Sequence, residues 1–274
     1  MGGYIFTSGL LTFYVAITTF RTRASGAVWI VAAAGLTSIG WMAVVNFIIG
    51  SDFRWLLFGF ALLWGILFIN VTAGIGILAQ ASPMMQDLFG RTPIEAAAIV
   101  SIISIFNAGG RIVWASASDY LGRRNTYAIF FAAQLVLFLL IPSLASRGAW
   151  LPFQLCLFAI FTMYGGGFAT IPAFLADIFG PRNVGAIHGA LLTAWSAAAI
   201  VGPLIITELS SRAKAALPVG GNAVHVYDTP LQLLAALLAV GLLLTLLVRP
   251  LRPLHPTAQR YSTTSVSTLS LIHI

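Results

Sequence analysis

Apolar runs of about 20 residues, the length a helix needs to cross a hydrocarbon layer ~30 Å thick, recur along the chain between short polar turns. Six are clear: Trp55–Ala79, Ile94–Trp114, Thr126–Leu144, Trp150–Ala176, Val184–Ile206 and Leu231–Val248. Gly, Pro, Ser, Asn and charged residues separate them, which is the punctuation that ends helices. Two further runs lie upstream: Tyr4–Phe20, marginal in length, and Ala27–Ile49, long enough to span. No charged segment precedes Tyr4, so the start does not read as a secretory signal. The pattern predicts an all-α polytopic membrane helix bundle. Residues 1–53 form a hydrophobic leader, 54–248 a six-helix unit and 249–274 a polar, Ser/Thr-rich tail expected to be disordered. The last six residues, Leu269–Ile274, resemble a translated sequencing-transposon end and are expected to be foreign to the protein.

Composition narrows the class. Hydrophobic residues make up 59% of the chain, charged residues 8%, and the mean hydropathy is +0.96, outside the range of soluble domains. A net charge of +7 would suggest nucleic acid in a soluble protein. Here the cations sit in short loops and tails between apolar runs, so they set orientation, and no nucleic acid partner is expected. With the Arg123/Arg124 turn cytoplasmic, alternation puts Arg54, Arg182, Arg249, Arg252 and Arg260 on the same side. Arg91, Arg147, Arg212 and Lys214 fall outside, accompanied by Asp87, Glu95, Glu208 and Asp228. The bias predicts a protein of the inner (plasma) membrane with a cytoplasmic C-terminus. Arg21 and Arg23 fit less well, because a single crossing by Ala27–Ile49 leaves them outside.

The sequence offers little for catalysis or metal binding. Cys156 stands alone in an apolar run, and no His/Cys cluster has metal-ligand spacing. Gly-x-Ser-x-Gly, His-Glu-x-x-His and Gly-Lys-Ser/Thr patterns are absent. No enzyme activity and no cofactor are expected.

One residue inside the apolar runs demands explanation. Arg111 is a permanent cation eight residues before Asp119, so about 12 Å deeper along a helix rising 1.5 Å per residue. An unpaired charge at such depth costs about 2.5–3.5 kcal/mol on insertion scales, so it should face a cavity, a partner or an anion. A planar guanidinium stays charged at physiological pH and can hold both oxygens of a carboxylate. Asn107 and Trp114 lie about one turn either side of it, on a shared face. The turn that follows, Asp119-x-x-Gly122-Arg123-Arg124, places an acid at a helix end before a glycine and two cations, an arrangement suited to a tight, locally paired gate latch. A solvated loop that only fixes orientation is the other reading.

Four stretches, Asn70–Gly90, Ser104–Asn125, Gly165–Gly180 and Asn183–Pro203, resemble the major facilitator superfamily and, within it, the oxalate/formate antiporter family. They fall in the order of helices seven to twelve, so the resemblance implies the C-terminal half of a twelve-helix transporter, with the N-terminal six-helix half missing. A truncated copy is the expectation. The superfamily pattern has Gly where this chain has Ala115. The resemblance further implies that Arg111 binds a substrate carboxylate and that Asp119, Gly122, Arg123, Arg124 and Asp177 form a gate. The oxalate-binding pattern carries a second cation, a lysine, at the position of Leu191. One intramembrane cation in this half favours a monocarboxylate or another weakly charged organic acid over a dicarboxylate.

Other candidates for the substrate site are Asn107, Asn70 near the middle of its run, Tyr164 before the glycines, and His188 with Trp195 on one face seven residues apart. Each has a plain alternative in helix packing, as do Gly74, Gly76 and the Gly165–Gly167 run before Pro172, which can bend a helix or simply permit a close crossing. The acids Asp119, Asp177 and Glu95 fall near helix ends, not at mid-membrane depth, so exchange and proton coupling stay open. The expected function is secondary active transport of small organic anions in a lipid bilayer by alternating access. A sensor or scaffold that binds without flux is the alternative.

Overall fold

The computed structural model describes residues 53–218 and 223–248, with Gly35 and Gly40 as isolated positions. The upstream runs Tyr4–Phe20 and Ala27–Ile49 and the tail from Arg249 onward therefore lie outside the described residues. Six long helices form: α1 (Phe53–Phe89), α2 (Pro93–Leu121), α3 (Arg123–Ser146), α4 (Trp150–Phe179), α5 (Val184–Ala215) and α6 (Asp228–Leu247). Short 3₁₀ turns, Pro181–Asn183 and Ala223–His225, precede α5 and α6. All six helices are long and apolar enough to cross a membrane. No strand occurs among the described residues.

Five helices contain the apolar run expected of them and extend past it, while α6 starts earlier than its run and ends one residue short of it, at Leu247. α1 continues ten residues beyond Ala79, through Pro83. Gln86 bridges back to Ser82, its Nε2 donating to the hydroxyl at 3.1 Å. α2 starts where local chemistry dictates. Thr92 accepts from the Glu95 amide at 3.3 Å and the Glu95 carboxylate accepts from the Thr92 amide at 2.9 Å, with Pro93 as first helical residue. This reciprocal cap satisfies amides that the helix itself leaves free. The α2–α3 and α4–α5 connections both turn at a glycine with φ of 80°, Gly122 and Gly180. A side chain at either would be strained, and both lie at the same end of the bundle.

Three helix pairings dominate the packing: α1 on α5, α2 on α4 and α3 on α6. Glycines set the first two. A Cβ on Gly110 of α2 would lie 2.2 Å from the Thr162 carbonyl oxygen, and one on Gly165 of α4 would lie 2.1 Å from the Asn107 carbonyl oxygen. Across α1 and α5, a Cβ on Gly202 would lie 2.5 Å from the Thr72 carbonyl oxygen. In lipid, where no hydrophobic force separates helix from solvent, such backbone approach is a principal source of association. The α1–α5 seam also carries Trp64 Nε1 to Thr193 Oγ1 at 3.0 Å and Gln80 Nε2 to Thr207 Oγ1 at 2.8 Å. Phe60, Phe130, Phe131, Phe138, Phe153 and Phe161 fill the core. Burial is uneven: 67% of the apolar window of α1 is inside the bundle against 17% of that of α2. The α2 surface, with Ile105, Ile112 and Val113 exposed, is the most open in the bundle, and Arg111 stands on it.

Candidate anion site and gate

Arg111 lies ten residues before the end of α2, about 15 Å from the gate-side turn at 1.5 Å per residue. Its guanidinium carbon sits 5.7 Å from the centre of the Phe168 ring of α4, within cation–π range. It makes no ion pair among the described residues. Phe168 is itself part of a ring shelf. Tyr164 stands edge-on to it at 5.4 Å on the preceding turn, and Trp195 of α5 stands edge-on at 6.2 Å. Tyr164, Trp195 and the Arg111 guanidinium thus all border the Phe168 ring. Trp195 is 42% exposed, so the shelf opens outward from the bundle. A cation that carries a fork of donors, a phenol, an indole and an aromatic floor can together hold a small anion by charge and by its apolar body.

The structure thus brings Arg111, Tyr164 and Trp195 together and adds Phe168, which sequence reasoning passed over although it follows Tyr164 by one helical turn. It separates the remaining candidates. Asn107 does not project beside Arg111: its Oδ1 is buried without a hydrogen bond, packed at the α2–α4 crossing where a Cβ on Gly165 would come within 2.5 Å. Trp114 also turns into that crossing, donating to Thr162 Oγ1 at 3.3 Å and meeting Phe130 edge-on at 4.9 Å. Asn70, expected on the cavity, is wholly buried at the junction of α1, α3 and α4. There it accepts from Gln134 Nε2 at 3.2 Å. Another buried amide thus meets its oxygen, while the Asn70 Nδ2 and the Gln134 Oε1 are buried without a hydrogen bond. His188 is half-buried, with Nδ1 sealed from solvent and unpaired, and no hydrogen bond or ion pair joins it to the Arg111 group among the described residues. Leu191, the position of the second cation in the oxalate-binding pattern, is fully buried, and α5 turns Trp195 toward the shelf instead.

The residues expected at the gate fall into two groups around the α2–α3 turn. Arg123 pairs with Asp119 one turn before it and donates to the Ser118 hydroxyl, and its Nε lies 3.8 Å from Asp177 Oδ2 at the end of α4. Only 17% of the Arg123 side chain is exposed, against 63% and 62% for the two acids. Arg124 faces the other way and donates to the Thr245 and Leu246 carbonyls at 3.3 and 2.6 Å. Both are among the last carbonyls of α6, and that of Thr245 also accepts from the Val248 amide at 3.3 Å. The two neighbouring arginines therefore tie the α2–α3 turn to two different helices.

At the opposite end a second network appears that loop charges alone did not suggest. Asp87 of α1 accepts from Lys214 of α5 and from the Tyr227 hydroxyl, both at 2.5 Å, and Lys214 also sits 5.7 Å from the Tyr227 ring centre. Burial, and then the hydrogen bond and charge of Asp87, push the Tyr227 phenol well above the usual tyrosine range. Arg91, in the α1–α2 turn, lies 4.5 Å from the Trp150 ring centre.

Six long apolar helices, two of their three main pairings made through glycines, with a bare guanidinium on the open face and an Asp-Gly-Arg-Arg turn at one end, describe an integral membrane helix bundle. The sequence profile of the Major Facilitator Superfamily matches residues 63–272, and the chain belongs to that superfamily. It is 33% identical over 143 residues to the oxalate:formate antiporter of Oxalobacter formigenes, covering 49% of this chain and 33% of the relative. It is 28% identical over 134 residues to apicoplast pyruvate carrier 1 of Toxoplasma gondii, covering 46% of this chain and 24% of the relative. The matched part of the chain thus spans a quarter to a third of the length of these curated relatives.

Proposed function

We propose that this bundle is the cation-bearing half of a secondary transporter for small organic anions that works by alternating access, and that a monocarboxylate is its preferred substrate. The observation that carries the reading is Arg111: a mid-helix guanidinium without an acid partner among the described residues, held over an aromatic shelf on the most open face of the bundle. The names of the relatives, an oxalate:formate antiporter and a pyruvate carrier, support the anion. The single cation and the buried Leu191 support the lower charge. In this reading a second six-helix bundle closes the cavity over α2. The Asp119–Arg123–Asp177 network holds the gate at the cytoplasmic face of the plasma membrane.

Anion entry would set the carboxylate against the guanidinium and the carbon body against Phe168 and Trp195. Uptake of radiolabelled formate, pyruvate and oxalate into proteoliposomes tests this. Arg111→Ala should lower uptake of the preferred anion at least about thirtyfold, the loss of a charge-assisted interaction of about 2 kcal/mol. Arg111→Lys, which keeps the charge without the fork, should fall between. Uptake that survives Arg111→Ala, or binding of the anion with no flux, would overturn the assignment.

A further inference from the structure

Tyr164 occupies space that only one residue of α1 leaves free. Gly74 lies beneath its ring: a Cβ there would sit 2.2 Å from Cδ2, 2.7 Å from Cε2 and 2.8 Å from Cγ of Tyr164. These are ring atoms of a 6% exposed side chain, not the far end of a flexible one, so the ring could not make way without changing its tilt. The ring is fixed on its other sides as well. Phe161 stands edge-on at 5.9 Å and Phe168 edge-on at 5.4 Å, and Phe168 carries the Arg111 guanidinium on one side and Trp195 on the other. The contrast with Gly76, two residues on, is sharp. A Cβ at Gly76 would meet the Gly202 backbone of α5 at 3.0 Å, so that glycine serves a helix crossing, whereas Gly74 faces an aromatic ring of the candidate site.

From this geometry we infer that Gly74 is a positioning residue for anion binding: by lacking a side chain it seats the Tyr164 ring so that the phenol points at the Arg111–Trp195 opening. The inference rests on the transport reading above, since it assigns Tyr164 a part in holding the anion. A methyl at position 74 lifts the ring and displaces the hydroxyl, while Arg111 and its charge stay in place. Affinity for the anion is lost while turnover is retained.

The test is a double-mutant cycle in proteoliposomes, with pyruvate and formate as probes, alongside thermal unfolding in detergent. Gly74→Ala should raise KM about fivefold, the size of one lost neutral hydrogen bond, and leave the maximal rate within about twofold. Tyr164→Phe should reproduce that rise. In the background of Tyr164→Ala, where no ring remains to displace, Gly74→Ala should change neither KM nor the unfolding temperature. Gly76→Ala should lower the unfolding temperature equally with and without the Tyr164 ring. If Gly74→Ala alone fails to fold, recovery of folding by adding Tyr164→Ala still supports the inference, and failure of both variants while Tyr164→Ala folds overturns it. An equal Gly74→Ala effect in both backgrounds overturns it as well. Retained uptake in Arg111→Ala, by contrast, overturns the transport reading and leaves the Gly74–Tyr164 coupling to be read from unfolding temperatures alone.

Discussion

At the gate end, Arg123 reaches Asp119 four residues back and Asp177 across on α4, while Arg124 caps α6. At the opposite end, Asp87 gathers Lys214 and Tyr227 from 127 and 140 residues away. Both networks join three or more helices, but they sit in different surroundings. The Arg123 side chain is 17% exposed, so its charge is held in a poorly solvated turn; Lys214 is 44% exposed and its partner Asp87 27%. Water reaches and screens the exposed acids, so the difference lies in Arg123, the less solvated of the two cations, which addresses Ser118, Asp119 and Asp177 together. The same kind of ion pair should therefore matter more at the gate than at the far end.

The sharpest way to break this comparison is Arg123→Ala. It strands Asp119 and Asp177 together near the α2–α3 turn without a cation between them. The expected cost is about 1–2 kcal/mol of stability, the loss of charged hydrogen bonds discounted for two acids that water reaches. Uptake should fall at least about tenfold as the α2–α3 turn loses its hold on α4. Arg123→Lys should recover stability better than uptake, because a lysine restores charge but cannot address Ser118, Asp119 and Asp177 from one planar group. Thermal unfolding and initial rates in proteoliposomes measure the two. An Arg123→Ala protein as stable as Asp87→Asn would erase the distinction between the ends.

Asp87→Asn is the matching change at the opposite end. It removes the charge that Lys214 pairs with but leaves an oxygen to accept from Tyr227. The expected loss is about 0.5–1 kcal/mol, the range of partly exposed pairs, and molar salt should shrink the difference from wild type. Uptake should change by less than about twofold, since no group of the anion shelf lies at this end. Loss of transport on the scale of Arg123→Ala would show that the far network is also a gate.

Why one network was legible and the other was not follows from distance along the chain. Asp119, Gly122, Arg123 and Arg124 fall within six residues, and a helix end with φ of 80° at Gly122 makes their meeting nearly unavoidable. Asp87, Lys214 and Tyr227 meet only because α1 and α5 end, and α6 begins, at one side of the bundle, which the hydrophobic pattern implies but cannot register to a residue. The six spans were readable from apolar length alone, yet α1 and α5 overran their predicted ends. Just past those ends, Gln80 donates to Thr207 across the seam between them at 2.8 Å. In the candidate site, Arg111 was conspicuous because charge in hydrocarbon is costly. Asn107 was a candidate by its place on the Arg111 face and Asn70 by its mid-span position, with packing as the alternative, and an amide, unlike a guanidinium, can be satisfied or tolerated inside a packed crossing. Helical periodicity places residues on a face; it does not tell whether that face meets a cavity or a glycine on the next helix. Gly74 illustrates the limit, since its purpose is visible only once the Tyr164 ring lies over it.

Tyr227 offers the finest probe of the far network. Its phenol is raised by burial and by Asp87, so the folded state favours the neutral form more than the unfolded chain does. The sign follows directly. Below about pH 10, the ordinary tyrosine value, both states are protonated and the contribution is fully present; as pH rises through and above that value only the unfolded phenol ionises, and stability declines. Tyr227→Phe isolates this contribution: it removes the phenol, keeps the ring that Lys214 faces, and should cost about 1 kcal/mol at neutral pH for one hydrogen bond. Above pH 10 the gap between wild type and Tyr227→Phe should narrow, because the wild type alone loses the tyrosine contribution. Unfolding temperatures at pH 8 and at pH 11 for both proteins give the measurement. A gap that widens with pH would mean that the ionised phenol is stabilised in the folded state, and that Lys214, not Asp87, governs its surroundings.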